Sequence, residues 1–298
     1  MPTRRLAGLV LLTGVVCASS ASILIRLADA PTLVVAFYRL AYAAVLHAAL
    51  STFALGKYRD FDSKTLKYSL FAGFALAVHF VLWIYSLEYT TVAASTVLVS
   101  FHPIFTAVLA YFILREGFSL SKILCIIMAL LGTVVIAYGD YGQPGTLLGD
   151  GLALGGALAV AVYFLIGRTV RARVPTLPYT TTVYASASLC VLLMLAMSGE
   201  SLRGYSAREH LIFVALAIVP TLLGHTLFSW SLKHLDAFYV SASVLGEPVG
   251  ATIMAYLVLQ ELPGIHQAAG GILILIGLAF LIATKHGGSG LPAMSGGD

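Results

Sequence analysis

The stretch SFHPIFTAVLAYFILREG, residues 100–117, returns in altered form as LGEPVGATIMAYLVLQEL, residues 245–262. A gapless shift of 145 residues aligns Pro103 with Pro248, Ala110 with Ala255, Tyr111 with Tyr256, and Glu116 with Glu261. Self-similarity at a fixed spacing is the mark of repeated architecture. We therefore interpret the chain as two related halves.

The composition of the chain indicates that its natural solvent is a bilayer. Hydrophobic residues make up 59% of the 298 residues and charged residues only 10%, against about 25% charged in a typical soluble domain. So few charges cannot cover the surface of a soluble protein of this length. Basic patches with interleaved aromatics are also missing from the sequence, so we expect no nucleic-acid partner.

Ten apolar stretches follow one another, each near the length of about 20 residues that a helix needs to cross the hydrocarbon core. They cover residues 6–25, 33–55, 67–86, 92–114, 121–139, 149–167, 178–198, 210–231, 238–259 and 268–284. The segments between them are too short for a soluble domain. We predict an all-α membrane protein with ten transmembrane helices, followed by a disordered cytoplasmic tail over the Gly-rich residues 285–298.

The distribution of Lys and Arg predicts the orientation, because cytoplasmic loops are enriched in these residues. Placing the N-terminus inside puts three cations outside, Arg26, Arg203 and Arg208. It puts thirteen inside: Arg4, Arg5, Lys57, Arg59, Lys64, Lys67, Arg115, Lys122, Arg168, Arg171, Arg173, Lys233 and Lys285. We therefore expect both termini to be cytoplasmic.

The two halves are predicted to be inverted relative to each other. Residues 1–142 and 143–284 would each hold five helices, and a unit with an odd number of spans ends on the side opposite to its start. Glu116 would lie inside beside Arg115, whereas Glu261 would lie outside with no basic neighbour in its loop. Inverted repeats allow a central site to open to each side in turn, as in secondary transporters.

The repeated span resembles a known family. HPIFTAVLAYFILRE and EPVGATIMAYLVLQE share a mid-span Pro, small residues and a terminal Glu, and AFYRLAYAA at 36–44 resembles an Arg-bearing second helix. These features are similar to those of the drug/metabolite transporter superfamily, in its EamA-like branch, and most of all to aromatic amino acid exporters of the YddG type. The resemblance implies export of amino acids or other metabolites without ATP, through a cavity lined by spans 1, 3, 4, 6, 8 and 9.

The sequence offers no sign of an enzyme. It contains neither a GxxxxGK[ST] phosphate-binding loop nor an HExxH zinc motif. The three cysteines, Cys17, Cys125 and Cys190, fall in different apolar stretches and lack a CxxC or Cys/His spacing. We expect no catalytic residues, no cofactor and no metal.

Ionisable residues deep in spans are candidates for function, because they are costly there. Glu247 precedes Pro248 in span 9 and could bind a substrate ammonium, carry a proton or be a structural residue of the repeat interface. Arg39 in span 2 could attract a substrate carboxylate, gate the outer mouth, extend its side chain toward water or pair with backbone carbonyls. Pro103 and Pro248 loosen their helices, so we regard them as gating candidates together with Glu247 and Arg39.

Aromatic and histidine side chains complete the predicted substrate site. His79 and Trp83 lie one turn apart on one face of span 3, which would suit an aromatic or zwitterionic ligand; the alternative is a hydrogen-bonded core histidine with packing aromatics. The full set of predicted substrate-binding residues is His79, Trp83, Phe101, Tyr163, His225 and Ser243.

These observations predict a multi-pass carrier of the bacterial-type inner (plasma) membrane that acts as a monomer in the lipid bilayer. It would export small metabolites, foremost aromatic and neutral amino acids, by secondary active or facilitative alternating access. A multidrug or nucleotide-sugar carrier is the alternative within the superfamily. An intramembrane enzyme and a channel or non-transporting membrane partner are the rival classes.

Overall fold

A computed structural model describes residues 4–52, 61–114, 120–140, 145–235, 237–244 and 246–285. Within these ranges the chain is helical and contains no strand. The α-helices are α1 Arg4–Ser19, α2 Ala21–Leu27, α3 Thr32–Thr52, α4 Ser63–Tyr89, α5 Val92–Val99, α6 His102–Leu114, α7 Leu120–Asp140, α8 Thr146–Arg171, α9 Thr176–Ser198, α10 Ala207–Leu216, α11 Thr226–Ser231, α12 Ala237–Ser243, α13 Gly246–Met254 and α14 Ile265–Lys285. Two π-helical segments, Ala217–His225 and Ala255–Leu259, follow α10 and α13.

Seven helical segments in the described ranges are long and apolar enough to cross a membrane. They are Gly8–Leu27, Thr32–Ser51, Ser63–Tyr89, Val92–Ile113, Thr146–Arg171, Thr176–Ser198 and Ala207–Ser231. The prediction of an all-helical membrane protein is thereby confirmed. The other three predicted spans fall on α7, on the segment from α12 to Leu259, and on α14, and the count of ten spanning helices stays a prediction.

Several of the long apolar segments are broken inside the protein. The fourth predicted span breaks at Ser100 and Phe101, between α5 and α6, and the ninth breaks between α12 and α13. Pro103 and Pro248 lie in the first turn after these breaks, where a missing N–H is tolerated because it would have no partner in the helix. Each proline therefore marks the start of a new helix.

Helix packing brings segments that are distant in sequence together. The long α4 packs against α8 and α9, α3 packs against α9, and α7 packs against α14. The short helix α13 and the π-helical segment Ala217–His225 both pack against α1. The aliphatic and aromatic side chains between these helices form one continuous core.

Some sequence predictions fall outside the described residues. These concern Lys57, Arg59, Arg115, Glu116, the boundary between residues 142 and 143, and the tail from residue 286 onward. The inverted orientation of the halves and the cytoplasmic placement of both termini stay predictions.

The crossing of α7 and α14 depends on two glycines. A Cβ atom added to Gly132 would lie 2.5 Å from the Gly270 carbonyl oxygen, and one added to Gly270 would lie 2.5 Å from the Gly132 carbonyl oxygen. Contacts this short force the two backbones apart. Small residues at such crossings let membrane helices approach closely.

We predict that Gly132→Ala lowers the free energy of unfolding by about 1–3 kcal/mol, the usual cost of overpacking. The thermal-unfolding midpoint of the purified protein in detergent measures this change. Gly151→Ala is the matched control, because a Cβ at this mid-helix glycine has open space around it. Equal midpoints for the two variants would show that the crossing tolerates separation.

Candidate substrate-binding site

A small cavity lies between α4, the α5–α6 break, α8, the end of the π-helical segment, and α13. Its volume is about 30 Å³, far below the roughly 300–1,000 Å³ of pockets that hold small molecules. The polar side chains and the indole in its wall are His79, Trp83, Ser100, His102, His225 and Glu247, and valine and phenylalanine side chains fill the rest. The cavity in this conformation is therefore too small to hold a metabolite.

His79 and Trp83 form one wall of the cavity. The Nδ1–H of His79 donates to the carbonyl oxygen of Gly156 in α8 at 3.0 Å, which fixes the ring and leaves Nε2 free to accept when the ring is neutral. The indole of Trp83 stacks on this ring, with centroids 6.0 Å apart and planes 7° from parallel. The structure therefore places the predicted pair together as a flat surface.

His225 closes the cavity from the other half of the chain. It ends the π-helical segment, and its ring lies 6.2 Å from that of His79 and 5.1 Å from that of Phe80, centroid to centroid. His225 Nδ1 and Trp83 Nε1 are buried and find no hydrogen-bond partner among the described residues. Most buried polar atoms in proteins have a partner, so these two are available to a ligand.

Arg39 lies behind this wall and does not line the cavity. Its side chain is fully buried, and its Nε–H donates to Thr221 Oγ1 at 2.8 Å. The guanidinium carbon sits 4.0 Å from the centroid of Phe80 and 5.9 Å from that of Trp83, a cation–π arrangement. Both terminal nitrogens lack a partner in the described structure. Extension of this side chain toward water is therefore excluded.

Glu247 is the acidic residue of the cavity wall. It is the second residue of α13 and is half-buried. It forms no salt bridge with Arg39, whose terminal nitrogens have no partner in the described structure. Its position in the repeat corresponds to His102, which begins α6 and hydrogen-bonds through Nδ1 to Ser241 Oγ at 2.6 Å. The two residues that precede the repeated prolines thus meet at one cavity.

Three predicted substrate-binding residues do not line this cavity. The Tyr163 hydroxyl hydrogen-bonds to Ser229 Oγ at 2.6 Å, Phe101 packs on Phe105, and Ser243 lies just before the wall residue Val244. Their sequence neighbours Phe164, Ser100 and His102 line it instead, because one residue turns a helix by about 100°. The roles of Tyr163, Phe101 and Ser243 stay predictions.

One wall residue that is missing from the predicted substrate site, His102, could have been recognised in the sequence. His102 aligns with Glu247 in the repeat, immediately before a proline. Three histidines converge here, yet within the described ranges no group of three or more His, Cys, Asp or Glu side chains is placed to hold a metal ion.

A polar network ties the two halves together at the end of the bundle predicted to face outward. Glu261 accepts from the Val92 backbone N–H at 2.6 Å and lies 3.9 Å from Arg26. Arg26 also donates to the Thr90 carbonyl at 2.8 Å. Glu261 has no basic neighbour in its own loop, but tertiary folding supplies Arg26 from the first half.

The second fully buried arginine, Arg171, lies at the opposite end of the bundle. Its Nε–H donates to the Ser229 carbonyl at 3.0 Å and its Nη2 donates to Thr176 Oγ1 at 2.6 Å. Its Nη1 donates to the Val174 carbonyl. These bonds join the end of α8 to the start of α9 and to α11.

This architecture defines an integral membrane protein whose helices surround a small polar cavity. The model of the EamA-like transporter family matches the chain twice, over residues 5–138 and 147–283. The chain belongs to the EamA-like transporter family, within the drug/metabolite transporter superfamily, and is a multi-pass membrane transporter. The aromatic amino acid exporter subtype is not established by this match.

Curated relatives agree with the family. A protein of Archaeoglobus fulgidus described as an uncharacterized transporter is 26% identical over 71% of this chain and 75% of its own. The uncharacterized transporter YxxF of Bacillus subtilis is 25% identical over 80% and 78%, and YdfC of the same species is 25% identical over 62% and 61%. All three are described as uncharacterized transporters, a description that points to a transporter for this chain as well.

A solved crystal structure shares the fold. It covers 95% of this chain and 99% of its own chain, with a TM-score of 0.69 and 20% sequence identity. At this level of identity, the similarity concerns the fold alone.

We expect the free energy of unfolding to respond differently when each of the two buried arginines is replaced by Met. We expect Arg39→Met to leave the free energy of unfolding within about 1 kcal/mol of wild type, because replacing a poorly compensated buried charge by an apolar group is often neutral. Arg171→Met should lower it by roughly 2 kcal/mol or more, because it strands acceptors that a charged donor satisfied. Thermal unfolding in detergent compares them, and equal losses would make Arg39 a structural residue like Arg171.

Proposed function

We propose that this chain is a secondary carrier that exports small metabolites, foremost aromatic and neutral amino acids, by alternating access through the central cavity. The observation that carries the proposal is the cavity wall itself. It combines a stacked His79–Trp83 surface with buried polar atoms, His225 Nδ1 and Trp83 Nε1, that have no partner among the described residues. Such atoms favour a ligand with hydrogen-bonding groups beside an aromatic or apolar part.

The wall also suggests how an amino acid would lie. Its side chain would rest on the indole of Trp83, and its ammonium group would face the carboxylate of Glu247. A substrate carboxylate would be attracted by the positive charge of Arg39, whose terminal nitrogens are unpartnered in the described structure. A carboxylate in the cavity wall together with a positive charge behind the wall suits a zwitterion better than an anion.

Two inverted five-helix halves would provide the alternation. The double family match supports two repeats. Equivalent breaks support them too, since α5 and α6 correspond in the 145-residue shift to α12 and to the segment from α13 to Leu259. The pairing of α4 with α8 corresponds to that of the π-helical segment with α1. We propose that these matching contacts are exchanged as the carrier opens to each side.

The contracted cavity fits an intermediate stage of that cycle. On the side predicted to be outside, Arg26 and Glu261 join the halves. On the other side, the bond between His102 and Ser241 also joins them. Opening toward either side would break one of these links and keep the other, so the substrate would meet one solution at a time.

Two other kinds of carrier in the superfamily can be compared with the cavity wall. The nucleotide-sugar carrier fits it less well, and the multidrug carrier fits it equally well. A nucleotide-sugar carrier would need cations against its phosphates, and the described cavity wall holds neither Lys nor Arg. A multidrug carrier for apolar cations fits the aromatic wall and Glu247 and is the second candidate. We propose further that the carrier is monomeric and lies in a bacterial-type inner (plasma) membrane.

Counterflow in proteoliposomes tests the proposal. Vesicles loaded with one unlabelled amino acid should take up labelled Phe, Thr or Met in a saturable manner, with competition by aromatic amino acids. We expect Trp83→Phe to lower the affinity for the substrate about tenfold, because it removes one hydrogen-bond donor and keeps a ring. His79→Ala should abolish uptake.

Tyr138→Phe is the matched control, since it removes one polar group from a side chain that is 82% exposed. Full uptake by both Trp83→Phe and His79→Ala would move the site away from this cavity. A saturable exchange of apolar cations without any amino acid exchange would favour the multidrug carrier. Unsaturable flux without counterflow would indicate a channel.

Glu247 is the proposed proton carrier. We expect the pH inside wild-type vesicles to change measurably as substrate moves. Glu247→Gln should still exchange substrate but without this pH change, because the amide has a similar shape but does not release a proton. A pH-sensitive dye inside the vesicles gives the measurement. Glu88→Gln, at the bundle end where Glu88 accepts from Thr32, should keep the proton movement. If the pH inside Glu247→Gln vesicles changes as it does with wild type, Glu247 is not the proton carrier.

A further inference from the structure

A second cavity lies at the end of the bundle opposite to the Arg26–Glu261 pair. It measures about 360 Å³ and lies where α8 and α11 end and α9 begins. Three of its lining residues are Arg171, Lys233 and His234, and Trp230 forms part of its wall. No acidic residue lines the part of this cavity that the structure describes. We call it the basic pocket.

Arg171 gives the basic pocket a fixed positive charge. The side chain is 1% exposed, and it donates hydrogen bonds to two carbonyl oxygens and one hydroxyl. None of these acceptors carries a charge, and the described structure pairs Arg171 with no carboxylate. A guanidinium has five N–H groups in a planar fork. The remaining N–H groups and the uncompensated charge favour an anion beside it.

The other residues of the pocket extend the same charge toward water. Lys233 and His234 are exposed and follow α11 directly. Desolvation is the first cause of the lowered pKa of His234, and the positive charges of Lys233 and Arg171 lower it further. Trp230 packs against His234, with ring centroids 4.5 Å apart and planes tilted by 51°. Trp and basic side chains together are typical of the membrane–water boundary.

We propose that the basic pocket binds a phosphate group, with an anionic membrane lipid as the source that its position favours. Arg171 would contact phosphate oxygens from the buried side and Lys233 from the exposed side, with Trp230 at the level of the headgroups. Basic pockets between helices at the cytoplasmic surface are known to hold lipid headgroups, and the excess of Lys and Arg predicts this end to be cytoplasmic. This inference does not depend on the transported substrate.

The test uses the full chain purified in detergent and its thermal-unfolding midpoint. Phosphatidylglycerol should raise the midpoint by several degrees more than phosphatidylcholine with the same acyl chains. The double variant Lys233→Gln/His234→Gln should lose at least half of that difference. The matched control is Lys64→Gln/Lys67→Gln, which removes two exposed cations at the start of α4 outside the pocket and should keep the difference.

Inorganic phosphate, compared with chloride at equal ionic strength, distinguishes the sources. If phosphate alone stabilises wild type and control but not the pocket variant, the pocket takes soluble phosphate. If only phosphatidylglycerol does so, it takes the lipid. Equal responses of the pocket variant and the control to both probes would overturn the proposal. Mass spectrometry of the intact protein, counting bound phosphatidylglycerol, gives the same comparison independently of stability.

Discussion

The bilayer interior offers no hydrogen-bond partner, so every backbone N–H and C=O within it must be satisfied by the protein. This constraint accounts for the helical form of the described chain. It also restricts where a helix can break. The break at Ser100 and Phe101 is tolerated because both residues are buried within the bundle. Irregular backbone at membrane depth is thereby confined to the interior of the protein, where it can face a cavity.

The helix breaks and the cavity coincide. Ser100 lies in one break and His102 follows it, His225 ends the π-helical segment, and Glu247 is the second residue of α13. Each of these side chains contributes to the cavity wall. Successive side chains of a continuous helix point in different directions around its axis. A short helix that begins at the cavity instead brings its first residues to the cavity wall. The repeated prolines therefore contribute to the site through the backbone and not by contact.

The two ends of the bundle differ in chemistry. At one end, Arg26 of the first half pairs with Glu261 of the second half. At the other end, Arg171 bonds to neutral acceptors and faces a pocket lined by Lys233 and His234. Opposite charges can close a path between halves and part again at modest cost near water. A set of like charges cannot close on itself and instead favours an anionic ligand.

Composition and pattern along the sequence predicted a helical membrane protein, the positions of its apolar helices, its family and Glu247 before Pro248 as a candidate residue. These features depend on composition, on runs of apolar residues and on local backbone chemistry, all of which are readable along the chain. The sequence also placed His79 beside Trp83, because residues four apart share a helix face. Only the tertiary structure decided that His225 meets this pair, that Arg39 lies behind Phe80, and that Glu261 pairs with Arg26. These contacts join residues far apart in sequence, and helix rotation, which local pattern leaves open, selected Phe164 over Tyr163 for the wall.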